Sequence, residues 1–208
     1  MIAELLQQSD AFQDALNEIF VTAPPPMLDE PRHDMCSVSA LLAVEHGSAA
    51  RLCFAANCPQ AATVLMRPQF EAAVRASWLL YAASDTEIAL VSGPLDEESD
   101  RLARKLPGAT DMLKVLTEKA PEGLVAPLQQ FHTVAWKALN SYVHTGLHPL
   151  RRRSEGYPLG LAVQAIRSGN GLLHVSYRLL AALTGSQATM TKVTRIWEAH
   201  QACLPIGA

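Results

Sequence analysis

The sequence predicts an all-α fold, and three observations support that prediction. Apolar residues recur at the three- and four-residue spacing of a helix in most segments of the 208-residue chain. No segment alternates apolar and polar residues for long enough to predict a β-strand. Apolar residues make up 49% of the chain and charged residues 18%, which is typical of one globular domain. We therefore expect a single all-α domain over residues 1–208, an antiparallel helical bundle of four to five long helices with additional short helices.

The first part of the chain predicts three long helices. Apolar residues at helical spacing predict the first helix over about residues 1–20. Four prolines then predict an extended connector over residues 22–34, after which Asp34 suits the N-cap of a second helix. A third helix begins near Pro59 and reaches Ser84 with few polar residues, which is typical of a central, buried helix. The expected buried stripe of the second helix contains Val38, Leu41, Leu42, Ala49, Leu52, Cys53 and Ala56.

The second part of the chain predicts two short helices and three longer ones. Residues 144–158 contain two glycines, two prolines and three consecutive arginines, and they predict an ordered basic loop. The helices before and after this loop are expected over residues 95–106, 109–120, 121–143, 159–184 and 187–203.

The basic and acidic residues are unevenly distributed along the chain. The formal net charge is −3, but the segment from Lys137 to Arg195 has eight Lys or Arg and one acid, a balance of +7. The rest of the chain has nine bases and nineteen acids, a balance of −10. Because basic side chains attract phosphates, this C-terminal third is compatible with RNA or a nucleotide as partner, although the total charge is negative.

The sequence predicts a cytoplasmic protein without a membrane span. No uncharged stretch reaches the roughly 20 apolar residues that cross a bilayer. Glu4 and Asp10 stand where a secretory signal would carry basic residues before an apolar run. The four cysteines show no CxxC pair and are expected to be reduced. No cofactor and no metal ion are expected, since His144 and His148 have no third ligand nearby.

Three charged residues form a ladder on the third helix. Arg67, Glu71 and Arg75 are its only charged residues, and their i, i+4, i+8 spacing places them on one face. Because the helix around them is apolar, we expect this Arg-Glu-Arg ladder to be partly buried and paired with groups from another helix. Two interpretations stay open: a structural network, or the floor of a polar pocket that binds an anion. The candidate partners are Ser141, Tyr142 and His144.

The arginine triplet of the basic loop is a second candidate binding site. Arg151, Arg152 and Arg153 are consecutive, and guanidinium groups bind phosphates in a bidentate manner. The alternative is a solvated loop without a ligand. His144, at the end of the preceding helix, is either a cap of that helix or a binding-site residue.

Two segments resemble a known pattern. LMRPQFEAAVRASWLLYAAS, residues 65–84, and SYVHTG, residues 141–146, are similar to uncharacterised bacterial helical families grouped with HEPN-like domains, including AbiV-type abortive-infection proteins. The resemblance implies an antiparallel helical bundle that often forms homodimers. Many HEPN-like domains look like metal-independent ribonucleases, in which an Arg steadies the scissile phosphate and a His separated from it by four to six residues transfers protons.

Two Arg and His pairs of this chain fit that spacing. They are Arg167 with His174 and Arg195 with His200, and the first is the better match because it lies near helix-distorting glycines. The resemblance thus implies a protein of defence or toxin–antitoxin type that binds RNA or a nucleotide, with Arg167 and His174 as the catalytic pair if it is a ribonuclease. Two alternatives stay open: a non-catalytic dimeric interaction protein with a structural ladder, and a small-molecule pocket floored by the ladder.

Overall fold

The computed structural model describes residues 1–206, and this part of the chain is helical without any β-strand. The all-α prediction is confirmed. No helix of residues 1–206 is both long and apolar enough to cross a membrane. Ten α-helices are present in the described residues: α1 (Ile2–Val21), α2 (Pro31–Ala55), α3 (Pro59–Tyr81), α4 (Asp85–Ser92), α5 (Glu97–Ala103), α6 (Ala109–Lys119), α7 (Glu122–Val143), α8 (Leu147–Glu155), α9 (Leu159–Leu183) and α10 (Gln187–Ala199).

Helices α3 and α9 form the centre of the fold. Helix α3 packs against α2, α6, α7 and α9, while α9 packs against α1, α2, α3, α7 and α10. Twelve residues of each helix are buried, as expected for helices that carry small or apolar side chains on most sides. The predicted central position of the third helix is therefore confirmed.

Helix α2 buries a different face from the one that its apolar pattern predicts. Val38, Leu41, Leu42 and Leu52 of the predicted stripe are 57%, 52%, 44% and 71% exposed. A Cβ at Gly47 would lie 2.6 Å from Nε2 of Gln69, so α2 approaches α3 more closely than leucines would allow. The predicted stripe was wrong because the spacing of apolar residues contains no information about how closely two helices pack. The face that is buried contains Cys36, Ser39, Ala40, Ala43, Gly47 and Ala50.

The second helix also begins earlier than predicted. It starts at Pro31, and Glu30, with φ −144° and ψ 150°, is the extended residue before it. Proline fits the first position of a helix because the backbone N–H that it lacks has no acceptor there. The extended connector therefore ends near Glu30, and the prediction that it runs through residues 22–34 was too long.

The third helix ends before Ser84, which belongs to the next helix. Ser84 is the N-cap of α4, where it forms a capping box with Glu87. The Arg32 side chain donates hydrogen bonds to the carbonyls of Leu79 and Ala83, at 2.7 and 2.9 Å, and satisfies the C-terminal end of α3. Side chains from two other elements thus fix a helix boundary that apolar spacing alone did not show.

Residues 144–158 contain helix α8 and are not the predicted loop. Pro149 lies in the first turn of α8, where its missing N–H has no intrahelical acceptor. The following arginines have good helix propensity, and Gly156 ends the helix with a φ of +94°. Consecutive helical residues are about 100° apart around the axis, so the three arginines cannot all face one ligand.

The remaining helices follow the predicted spans with shorter ends. Helix α5 covers Glu97–Ala103, because Asp96 and Ser99 form a capping box that starts it late. Helix α10 ends at Ala199, and a 3₁₀ turn over Gln201–Cys203 follows it. After this turn the chain lies against α9, where the side chain of Asn170 donates a hydrogen bond to the Cys203 carbonyl at 2.8 Å.

Candidate functional site

The Arg-Glu-Arg ladder is partly buried, with side-chain exposures of 22% for Arg67 and 38% for Glu71. Nε of Arg67 donates to Oε1 of Glu71 at 2.9 Å, and the guanidinium lies 4.9 Å from the ring centre of Trp136 on α7. This is a cation–π contact across two helices. Arg75 forms no hydrogen bond or ion pair within residues 1–206. Of the three ladder residues, Arg67 thus contacts α7, while Glu71 pairs with Arg67 within α3.

The predicted partners of the ladder lie elsewhere. Ser141 accepts a hydrogen bond from the backbone N–H of His148 at 3.1 Å and joins the end of α7 to α8. His144 is exposed and follows α7, and its backbone N–H donates to the Asn140 carbonyl. The expected pairing of the ladder with Ser141, Tyr142 or His144 was wrong, since α8 occupies this end of α7.

The arginines of α8 have three different surroundings. Arg151 forms an ion pair with Glu155 one turn later, and Arg153 is exposed. Arg152 is half-buried beside Tyr142 and Tyr157. The triplet is therefore not one binding surface, and Arg151 and Arg153 are its solvent-exposed members.

A pair of tyrosines anchors α8 to the rest of the protein. Tyr142 is 4% exposed, and burial raises the pKa of its hydroxyl. Burial likewise raises the pKa of Tyr157 to about 12, and the hydroxyl of Tyr157 lies 2.7 Å from Oγ1 of Thr63 on α3. The hydrogen bond between Tyr157 and Thr63 thus joins the segment after α8 to α3.

Arg167, on the middle of α9, is a half-buried cation without an acidic partner. One of its terminal nitrogens donates to the Ala202 carbonyl at 3.1 Å. Its Nε is buried without an acceptor in the described part of the chain. No carboxylate of residues 1–206 forms an ion pair with it. Within residues 1–206, the one hydrogen-bond acceptor of its guanidinium is thus a neutral carbonyl.

His174 lies two turns further along α9, stacked against Trp197 of α10 with ring centres 4.3 Å apart. Burial lowers the pKa of His174 to about 3, and the charge of Arg178 acts in the same direction. The imidazole is therefore neutral at physiological pH, and its buried Nε2 has no hydrogen-bond partner within residues 1–206. Because the imidazole is not protonated at physiological pH and its Nε2 is shielded from solvent, the geometry does not favour the predicted role of His174 in proton transfer.

A cavity of about 400 Å³ lies between α7 and α9, and we call it the α7–α9 cavity. Phe131 of α7, Leu172 of α9 and Trp197 of α10 line it, and the first two are 7% and 2% exposed. Val134 of α7 also lines it and is 64% exposed. The volume falls within the range of roughly 300–1,000 Å³ that is typical of small-molecule sites.

The polar groups of the α7–α9 cavity lie mainly on one wall. Gln164, Arg167 and Ser168 stand at i, i+3 and i+4 on α9, so they share one face of that helix. Of the cavity-lining side chains in the described part of the chain, Arg167 is the one that carries a charge. The facing wall, formed by α7, is apolar at Phe131 and Val134 and carries one polar side chain, that of Gln130. The cavity thus has a polar side with one cation and a mostly apolar side.

Comparison with known proteins gives one match. Residues 40–206 of the 208-residue chain match a family of unknown function, DUF6988. The chain belongs to the DUF6988 family. No curated protein and no solved structure matches it. The DUF6988 region includes every residue that lines the α7–α9 cavity, but the family description assigns no activity to that cavity.

Two glycines of the DUF6988 region shape the α7–α9 cavity. A Cβ at Gly171 would lie 3.1 Å from Cγ of Pro205, so this glycine lets the segment after the 3₁₀ turn approach α9. A Cβ at Gly160 would meet nothing within 4 Å. The sequence shows Gly171 as an unfavourable residue inside a helix, and this is the signal that points to the site.

Proposed function

We propose that this DUF6988 protein binds a small, mostly apolar ligand in the α7–α9 cavity. The observation that supports the proposal is a mostly apolar cavity of about 400 Å³, which residues 1–206 line with a single charged side chain. A pocket that is largely apolar and carries a few polar groups is the usual form of a small-molecule site. The third alternative from the sequence, a pocket between helices, is therefore kept, but at α7 and α9 and not on the Arg-Glu-Arg ladder.

The packing of the protein supports a ligand at this place. Protein interiors are close-packed, and voids larger than a water molecule are few. The side chains of Phe131 and Leu172 are buried at the edge of the cavity, while Val134 leaves most of its surface exposed. A ligand between these walls would remove apolar surface from water, which stabilises the complex by about 25 cal/mol per Å².

Binding of a neutral fluorescent compound, N-phenyl-1-naphthylamine, tests the proposal. We expect saturable binding to the wild-type protein and at least tenfold weaker binding to Gly160→Phe, because the new ring would occupy open space in the cavity. Leu159→Phe is the matched control, since Leu159 is exposed and does not line the cavity. Absence of saturable binding, or equal binding to all three proteins, would refute the proposal.

A second candidate function is the binding of RNA or a nucleotide at α8, as the HEPN-like resemblance implies. The observation that favours it is the exposure of Arg151 and Arg153 on α8 and of Lys137 on the adjacent α7. Exposed basic groups bind phosphates with an affinity that falls as salt rises. With this candidate we also propose a defence role and a cytoplasmic location. The four free cysteines are compatible with that location.

Filter binding of single-stranded RNA at low and moderate salt tests this second candidate. We expect the double variant Arg151→Ala with Arg153→Ala to bind at least tenfold more weakly than wild type and with a smaller salt dependence. The control double variant changes two exposed arginines of the short α5 region, Arg101→Ala with Arg104→Ala. No RNA binding at low salt would refute the candidate. Metal-independent cleavage that is lost in His174→Ala would support the predicted ribonuclease.

We further propose that a second copy packs on α2 to form a homodimer. The supporting observation is the exposed stripe Val38, Leu41, Leu42 and Leu52. Val38 and Leu52 are each seven residues from Glu45. If two antiparallel α2 helices cross at Glu45 on a two-fold axis, Val38 of one copy therefore lies opposite Leu52 of the other. Within each subunit, we propose that the five long helices, of 20 to 25 residues each, form one antiparallel bundle.

Analytical ultracentrifugation tests the dimer. Glu45 would face its own copy at the axis, so Glu45→Leu should tighten the dimer at least tenfold and Leu41→Asp should abolish it. Leu95→Asp, at a position 93% exposed in a loop, should behave as wild type. A wild-type protein that is monomeric at 100 µM would refute the dimer.

A further inference from the structure

We infer that the ligand of the α7–α9 cavity is an amphipathic anion, such as a medium-chain carboxylate, with its anionic group bound by Arg167. This inference rests on the proposed function of the cavity and adds the chemical class of the ligand. The cavity has one cationic wall and one apolar wall, and the ligand must match both.

The state of Arg167 supports an anionic group. The guanidinium is half-buried, and its one hydrogen bond in residues 1–206 goes to the neutral carbonyl of Ala202. A half-buried cation without a counter-ion has lost part of its hydration and gained no ion pair in return. An anion in the cavity would supply that ion pair, and carboxylates match the fork of N–H donors that arginine presents.

The neighbours of Arg167 support the same assignment. Ser168 and Gln164 lie on the same face of α9 and carry a hydroxyl and an amide, both of which can donate hydrogen bonds to an oxygen anion. No acidic side chain is among the residues that line the cavity in the described chain. This wall therefore attracts anions, and it has no carboxylate to pair with a cationic group.

The opposite wall supports an apolar tail. Phe131 and Val134 of α7 form this wall, and the buried Leu172 of α9 and Trp197 of α10 add further apolar surface to the cavity. These side chains have no charge, so a second charged group on the ligand would be desolvated without a partner. A ligand with one anionic end and one apolar end fits both walls, whereas a dianion or a sugar phosphate fits only the first.

Displacement of N-phenyl-1-naphthylamine by decanoate and by decanol tests the inference, because the two compounds share one chain and differ in charge. We expect wild type to bind decanoate at least tenfold more tightly than decanol. Arg167→Gln should bind the two compounds with equal affinity, while Arg167→Lys should keep most of the preference. Arg195→Gln removes the same charge from α10 outside the cavity lining and should behave as wild type.

The outcomes separate this inference from the function on which it rests. If decanol and the fluorescent compound bind but decanoate binds no more tightly than decanol, the inference is overturned and the ligand-binding function stays in place. Failure of every compound to bind would overturn both. Affinities that fall as protein concentration rises would indicate that a second copy fills the cavity, and that result would also overturn the inference.

Discussion

Single residues of this protein differ in how well their polar groups are satisfied. His174 is half-buried against Trp197 with a buried ring nitrogen that is unpaired in the described chain, whereas Arg167 keeps one hydrogen bond and borders a cavity. The two residues share one side of α9, yet only the arginine is placed to meet a ligand. Of the pair that the HEPN-like resemblance singles out, the arginine is thus the member that the geometry favours.

The pH dependence of stability tests the burial of His174. The pKa is lowered from 6.5 in the unfolded chain to about 3 in the folded protein, so between these values the unfolded state binds more protons. The stabilisation is complete above pH 6.5 and is lost as the pH falls toward 3. We expect up to about 2 kcal/mol of unfolding free energy to be lost from this residue between pH 7 and pH 5.

Urea denaturation of His174→Phe at both pH values measures this contribution. The phenyl ring can keep the contact with Trp197 but cannot bind a proton, so the variant should lose less stability on acidification than wild type. An equal loss in both proteins would contradict the assigned pKa. NMR titration of the His174 ring in the folded protein provides a direct second measurement.

At the scale of the helices, the size of side chains decides which face is buried. Helix α2 turns its small residues toward α3 and leaves four large apolar residues exposed. Close packing brings more backbone and side-chain atoms into contact, and each contact adds dispersion energy. The apolar periodicity of α2 predicted the helix itself but not its orientation, because the partner face of α3 is distant in sequence.

A pair of substitutions in α2 tests this orientation. Gly47→Leu should lower the unfolding free energy by about 1 to 3 kcal/mol, because a Cβ at this position already approaches Gln69 to 2.6 Å. Leu52→Ala should change it by less than about 0.5 kcal/mol, since Leu52 is 71% exposed. Urea denaturation measures both values. A larger effect of Leu52→Ala would mean that the predicted stripe is the buried face after all.

At the scale of the whole molecule, one buried side chain joins three parts of the chain. Asn170 of α9 is 1% exposed, and its amide nitrogen donates at 2.8 Å both to Oγ of Ser9 on α1 and to the Cys203 carbonyl. The segment held by the second bond continues to Pro205 and Ile206, which border the α7–α9 cavity. The stability of the fold and the shape of the cavity are therefore coupled through this residue.

Replacement of Asn170 tests that coupling. Asn170→Ala leaves a buried carbonyl without its donor, so we expect a loss of about 2 to 4 kcal/mol in unfolding free energy. We also expect weaker binding of N-phenyl-1-naphthylamine, because the segment that borders the cavity loses its anchor. Asn140→Ala on α7 is the control. Asn140 is half-buried, and its side chain forms no hydrogen bond in residues 1–206. Full stability of Asn170→Ala would contradict this role.

The candidate site shows where prediction from sequence ends. Arg167 was singled out through its spacing to His174, and Gly171 was visible as an unfavourable residue in a helix. Phe131 and Trp197 gave no signal, because an aromatic residue on an apolar stripe is typical of any core. The cavity also depends on Pro205 and Ile206, whose approach to α9 follows from contacts about 30 residues apart in sequence.

The sequence by itself determined that this protein is helical and where most of its helices run, because helix formation depends on neighbours three and four residues apart. It also determined that α3 is central, since few polar residues interrupt it. The tertiary structure decided which face α2 buries, that His174 is neutral and that a cavity opens beside Arg167. These features depend on the sizes and charges of groups from distant segments, which meet only when the helices pack.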